Sequence, residues 1–152
     1  MTELSLTING EPRTAAVDPR HTLVEALREG FGVLGPKVGC ATGDCGACTV
    51  EIDGRIAKAC LELAPAADGC EITTIEGLAE DGELTPLQEA FWSSNAFQCG
   101  YCLSGMLFAA RDLLQRNPNP TDDEIRTAIG GNLCRCTGYE SIVAAVRSLC
   151  QS

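Results

Sequence analysis

Aromatic side chains are scarce in this chain, 5% of 152 residues, so the 45% that are hydrophobic must build any core mainly from Leu, Ile, Val and Ala. A small domain with so few large rings often leans on a metal staple. Basic residues are few as well: 11 Lys and Arg stand against 21 Asp and Glu, a formal net charge of -10. Nucleic acid and anionic membrane surfaces require clustered Lys and Arg, and no basic run exists here, so neither is expected as a partner. The acidity reads as solubility. No stretch approaches the roughly 20 apolar residues that cross a bilayer. The start, Met1 to Ile8, has neither a basic n-region nor an apolar h-region, so no signal peptide is expected. That points to a reducing cytoplasm, where cysteines favour metal over disulfides. The chain has one histidine, His21, which excludes a Rieske centre with its two His ligands. It also lacks a Ser/His/Asp set, a phosphate loop and a dinucleotide fingerprint. Any substrate chemistry is therefore expected elsewhere.

Cysteine is what the chain does have. Eight of its 10 cysteines fall into two groups of four: Cys40, Cys45, Cys48 and Cys60, then Cys99, Cys102, Cys134 and Cys136. The first group has the C-x4-C-x2-C…C spacing of a plant-type [2Fe–2S] cluster. Structural zinc prefers two short knuckles, which this spacing fits poorly. In the second group Cys99 and Cys102 precede one apolar helical pattern, and Cys134 and Cys136 precede another. Helix starts favour negative charge, which suits an anionic tetrathiolate cluster, although the spacing alone would also serve zinc. Cys70 and Cys150 lie outside both groups and read as small buried hydrophobes.

The first half reads as sheet. Leu4, Leu6 and Ile8 alternate, and Asn9-Gly10 and Asp53-Gly54 are hairpin signals. Strands are expected to Val17, over Thr49 to Ile52, over Ile56 to Cys60 and over Glu71 to Ile75. Thr22 and Glu25 form a capping box that opens a helix with Leu23, Ala26 and Leu27 on one face. Gly39, Gly43 and Gly46 let an irregular loop turn its N–H groups inward around the first cysteines. The second half reads as helix. Thr85-Pro86-Leu87-Gln88 and Thr121 with Glu124 are further capping boxes. Met106 to Leu114 and Ile142 to Cys150 carry helical apolar faces. The expected fold is α+β: an N-terminal β-grasp, plant-ferredoxin-like domain over residues 1–78, then a C-terminal four-helix bundle domain over 79–152. The seam falls in the Gly- and acid-rich stretch from Glu76 to Leu84. Phe91, Trp92 and Phe97 read as core or interface; helical spacing makes core the default, and an exposed patch here would mark partner docking.

Three strings taken together carry a family resemblance: Gly39-Cys-Ala-Thr-Gly-Asp-Cys-Gly-Ala-Cys-Thr-Val50, Gln98-Cys-Gly-Tyr-Cys102 and Gly131-Asn-Leu-Cys-Arg-Cys-Thr-Gly-Tyr139. In order and over nearly the whole chain, they resemble the small iron–sulfur subunit of the molybdenum hydroxylases, the relatives of xanthine dehydrogenase, aldehyde oxidoreductase and carbon monoxide dehydrogenase. One departure is Pro36, where relatives usually have Thr; it touches no ligand. The resemblance implies one [2Fe–2S] cluster in each domain. It also implies a large partner subunit carrying a molybdopterin cofactor, and as acceptor an FAD-binding medium subunit or another carrier such as a cytochrome. Electrons would pass from molybdenum through the helical cluster to the ferredoxin-type cluster and onward. It further implies that Gln98 and the Cys136 region meet the pterin. Two other readings stand beside it: a free-standing diffusible ferredoxin, which leaves the helical half unused, and a zinc-stapled interaction module.

Overall fold

A computed structural model describes residues 1–150. Strands β1 (Thr2–Ile8) and β2 (Glu11–Val17) form an antiparallel hairpin with Leu4 opposite Ala15. Asn9 and Gly10 both have positive φ, 52° and 83°, as the tight two-residue turn requires. Short helix α1 (Leu23–Glu25) opens on its capping box: the Thr22 N–H and hydroxyl each donate to Glu25 Oε2 at 2.7 Å. The helix then widens into one π turn over Ala26–Gly30, closed by Phe31 N–H on the Ala26 carbonyl. Leu23, Val24, Ala26 and Leu27 are fully buried against the sheet. Strands β3 (Thr49–Ile52) and β4 (Arg55–Lys58) make the second hairpin, and β5 (Glu71–Thr73) is inserted between β1 and β3. The order β2-β1-β5-β3-β4, with β5 parallel to β1 and antiparallel to β3, is a β-grasp.

Two ends differ from expectation. Strand β4 stops at Lys58, so Cys60 lies in the turn that follows it. Strand β5 stops at Thr73 because the Asn9 side chain takes over Thr74, accepting from its N–H at 2.8 Å and donating to its hydroxyl at 3.0 Å. A single 3₁₀ turn, Ile75–Gly77, leads out of the sheet.

Four helices make the second half: α2 (Pro86–Ser93), α3 (Leu103–Arg116), α4 (Asp122–Ile129) and α5 (Glu140–Arg147). Helix α2 packs on α5, and α4 on both α3 and α5. Phe91, Met106, Phe108, Ile125, Ile142 and Val146 fill their core, which is separate from the β-grasp core and which Leu78 also joins. Trp92 is 67% exposed, against expectation. Its neighbour Phe91 holds the core-facing position, and adjacent residues on a helix cannot share one face. The halves meet where α3 lies on β3. There the buried Ser104 hydroxyl donates to the Thr49 carbonyl at 3.1 Å, and Arg111 pairs with Glu51 at 2.6 Å. Among the described residues no helix is long and apolar enough to cross a membrane.

Candidate iron–sulfur centres

The loop before β3 wraps its own cysteines. The N–H groups of Thr42, Asp44 and Cys45 all donate to Cys40 Sγ, at 3.4, 3.3 and 3.3 Å. Thr42, first through its side chain and then through its N–H, and after it the Cys45 N–H draw the Cys40 thiol down to about 6. The N–H groups converge because Ala41, Gly43 and Gly46 have left-handed φ of 57°, 84° and 76°, and right- and left-handed residues placed together make an anion-binding nest. Ala41 holds that conformation without the freedom of glycine, which is a local strain of the kind found at functional sites. A Cβ at Gly39 would come within 2.7 Å of Cys45 Sγ. On the inner side Cys48 and Cys60 are buried next to each other, and burial pushes the Cys48 thiol up to about 11.

The second group is set at the first turn of α3 and in the loop before α5. Cys102 immediately precedes α3, whereas Cys136 stands a short loop ahead of α5. The pairs are crossed: Cys99 Sγ lies 3.7 Å from Cys136 Sγ, and Cys102 stands against Cys134. Burial pushes the Cys102 thiol up to about 12. Burial also acts to raise Cys134, but the Thr137 hydroxyl, donating to its sulfur at 3.1 Å, and nearby N–H groups outweigh it and draw the thiol down. That hydroxyl also accepts from Tyr139 N–H at 3.2 Å, while the Tyr139 hydroxyl accepts from Cys134 N–H at 3.0 Å. Tyr139 is left-handed, at φ 70°, to close this small ring. Gln98 spans the two cysteine pairs, its Nε2 donating to the Cys136 carbonyl at 3.1 Å.

This donor set fits a tetrathiolate [2Fe–2S] group. Two thiolates on one tetrahedral metal, with metal–sulfur bonds of about 2.3 Å, stand about 3.7–3.8 Å apart, and Cys99 and Cys136 do so at 3.7 Å. Each site sets its cysteines side by side in twos, Cys40 by Cys45 and Cys48 by Cys60 in the first, and a two-iron cluster asks for two thiolates per iron. Among the described residues no three His, Cys, Asp or Glu side chains converge on a single ion. The buried thiols are protonated without metal, and a bound cation deprotonates them. Cys70 and Cys150 stand apart: Cys70 packs against the first core, and Cys150 Sγ donates weakly to the Val146 carbonyl at 3.5 Å. His21 is half-buried with its Nε2 3.8 Å from Glu29.

The two sites are directly joined. Leu133 N–H, next to Cys134, donates to the Cys45 carbonyl at 2.9 Å. Lys58 Nζ reaches the Gly131 carbonyl at 2.6 Å and the Tyr101 hydroxyl reaches the Val38 carbonyl at 2.5 Å. None of these links is legible in the sequence, since each ends on a backbone carbonyl, which carries no residue signature. Thr137 and Tyr139 could have been found from the polar residues that punctuate the second cysteine loop.

Two N–H-wrapped thiolate sites, one in a β-grasp and one at helix starts, linked by a hydrogen bond, define a two-centre iron–sulfur electron-transfer protein. Residues 6–78 match the family described as "2Fe-2S iron-sulfur cluster binding domain", and residues 74–147 that described as "[2Fe-2S] binding domain". The chain is 50% identical to the nicotinate dehydrogenase small FeS subunit of Eubacterium barkeri, over 95% of this chain and 92% of that one. It is 51% identical to the nicotine 6-hydroxylase small subunit of Paenarthrobacter nicotinovorans, over 95% and 87%. Its fold superposes on a chain of quinoline 2-oxidoreductase from Pseudomonas putida 86 with a TM-score of 0.92 at 50% identity, covering 96% of this chain and 90% of that one. The chain belongs to the small iron–sulfur subunits of the molybdenum hydroxylases. Its work is electron transfer within an oxidoreductase whose substrate chemistry lies on partner subunits, and both the diffusible ferredoxin and the zinc module are set aside.

Proposed function

We propose that Cys40, Cys45, Cys48 and Cys60 hold one [2Fe–2S] cluster and that Cys99, Cys102, Cys134 and Cys136 hold the other, in domains spanning residues 1–78 and 79–152. Each cluster, when bound, supplies a site for one electron. The observation that carries the direction of transfer is the exposure of Cys99 and Cys136 beside Gln98, against the burial of Cys48 and Cys60. The open edge of the second site is the side a large molybdopterin-binding subunit would cover, and the first site would pass electrons to an FAD-binding medium subunit. The Leu133–Cys45 hydrogen bond gives a short bonded connection between the two ligand segments. The N–H groups around Cys40 and the Thr137 hydroxyl stabilise added negative charge on their sulfurs. A cysteine set grouped for metal binding rather than disulfides supports a cytoplasmic setting. The relatives at about half identity are named for nicotinate, nicotine and quinoline, and an N-heteroaromatic ring is the substrate class we assign to the assembled complex.

Gln98 has one amide oxygen left to accept and a second N–H to donate once its bond to Cys136 is made, and these would face the pterin. Gln98→Ala should slow reduction of the clusters by substrate or weaken cofactor retention in the purified complex, with both clusters still assembled. Unchanged turnover with unchanged cofactor content would limit Gln98 to holding the Cys136 loop.

A further inference from the structure

Asn132 is 4% exposed, and its side-chain carbonyl oxygen accepts no hydrogen bond among the described residues. Its amide nitrogen makes only a long contact of 3.4 Å to the Ile129 carbonyl. A buried acceptor left unmatched is a net cost to folding, so the residue has some use other than stability. Its position supplies one. Three segments that each carry cysteines meet at this oxygen: Gly46, between Cys45 and Cys48; Gly105, in the first turn of α3 after Cys102; and the run from Asn132 to Cys134. Both glycines press bare backbone against it. A Cβ on Gly46 would lie 2.0 Å from Asn132 Oδ1, and one on Gly105 would lie 2.3 Å from that oxygen and 2.2 Å from the Gly46 carbonyl oxygen. The carbonyl therefore faces the Cα–H groups of two glycines from opposite domains, a weak but directional contact. At this point the seam is bare backbone on backbone, Gly105 against the Gly46 carbonyl, with the Asn132 carboxamide seated beside both.

We infer that Asn132 is a positioning residue whose carboxamide, wedged beside the direct contact of Gly105 on the Gly46 carbonyl, fixes how those backbones pack and so sets the separation, and with it the electronic and magnetic coupling, of the two clusters. This rests on the reading that the two cysteine groups hold clusters. Reduced [2Fe–2S] centres are paramagnetic, and their dipolar interaction falls with the cube of their distance. Gly105 is the cleaner of the two glycines to alter because its φ is not in the left-handed region. Gly105→Ala must open its contacts from 2.2 Å toward the 3.4 Å of ordinary packing. Asn132→Ala removes the carboxamide that flanks this contact. Asn132→Asp keeps its shape and adds a charge between the clusters.

The experiment takes the purified complex and measures iron content, the two EPR signals, and the low-temperature splitting that arises when both clusters are reduced. Gly105→Ala is expected to keep both signals at their wild-type g values with reduced splitting, and Asn132→Ala to change the splitting without loss of iron. Asn132→Asp should retain the splitting while moving both midpoint potentials to more negative values. Splitting unchanged in both alanine variants overturns the inference. Should either alanine variant lose a cluster, Asn132→Asp decides, since a shift in only one potential or in neither overturns it. Wild-type protein with fewer than two EPR signals would instead sink the cluster reading beneath it, and the two failures are thereby distinct.

Discussion

Thr137→Val removes one hydroxyl and little volume, and the structure assigns that hydroxyl two partners. It donates to Cys134 Sγ at 3.1 Å and accepts from Tyr139 N–H at 3.2 Å. With Cys134 as a cluster ligand, the sulfur is anionic in both oxidation states and more so after reduction, so losing the donor disfavours the reduced form and lowers the potential. A hydrogen bond to a charged group contributes about 1.5–3 kcal/mol. Only the part that grows with the added electron enters the potential, and Thr137 is half-buried, so about 0.5–1 kcal/mol is a fair share. At 59 mV per tenfold for one electron, that is a shift of about 20–40 mV to more negative values. An EPR-monitored redox titration would follow the second-cluster signal, with the first-cluster signal as internal reference and Thr137→Ser as the variant that keeps the hydroxyl. A shift of both clusters together, or an equal shift in the Ser and Val variants, would refute the reasoning. The freed Tyr139 N–H adds a stability loss of about 1 kcal/mol, visible in denaturant unfolding.

Cys60→Ser is expected to abolish the ferredoxin-type EPR signal and largely spare the other, because the two hydrophobic cores are separate; simultaneous loss of both would show that the clusters assemble as one unit. Cys70→Ser and Cys150→Ser should leave iron content unchanged, and loss of iron from either would redraw the ligand sets. Acid should expose the capping boxes: the Thr22 N–H holds Glu25 below its ordinary value of 4.5, and the Thr121 N–H does the same for Glu124. A depressed carboxyl stabilises the fold above its unfolded pKa and loses that contribution as pH falls through the folded one. Thermal unfolding against pH should therefore drop more steeply below pH 4.5 in wild type than in a Glu25→Gln, Glu124→Gln double variant, and parallel curves would count against it.

Local chemistry made much of the fold legible. A capping box is spelled by two residues three apart, and Thr22/Glu25, Thr85/Gln88 and Thr121/Glu124 all close as written. Asn9-Gly10 and Asp53-Gly54 turn where their positive φ is needed. The closeness of Cys40, Cys45 and Cys48 was legible for the same reason, because the three share one glycine-rich loop. What escaped was long-range. The crossed neighbours Cys99 with Cys136 depend on how α3 packs against the loop before α5, which no spacing encodes. The π turn after Glu25 and the exposure of Trp92 are decided by what the neighbouring residues fill. The seam through Gly46, Gly105 and Asn132 is made of backbone and one amide, with no hydrophobic pattern to announce it.

The most direct test of the account is metal analysis with EPR of the dithionite-reduced protein in its native complex. Two thiolate sites holding two irons each predict about four irons per copy of this chain, with two distinguishable [2Fe–2S] signals. Half that iron with a single signal, or zinc in place of iron at the Cys99/Cys102/Cys134/Cys136 site, would contradict it.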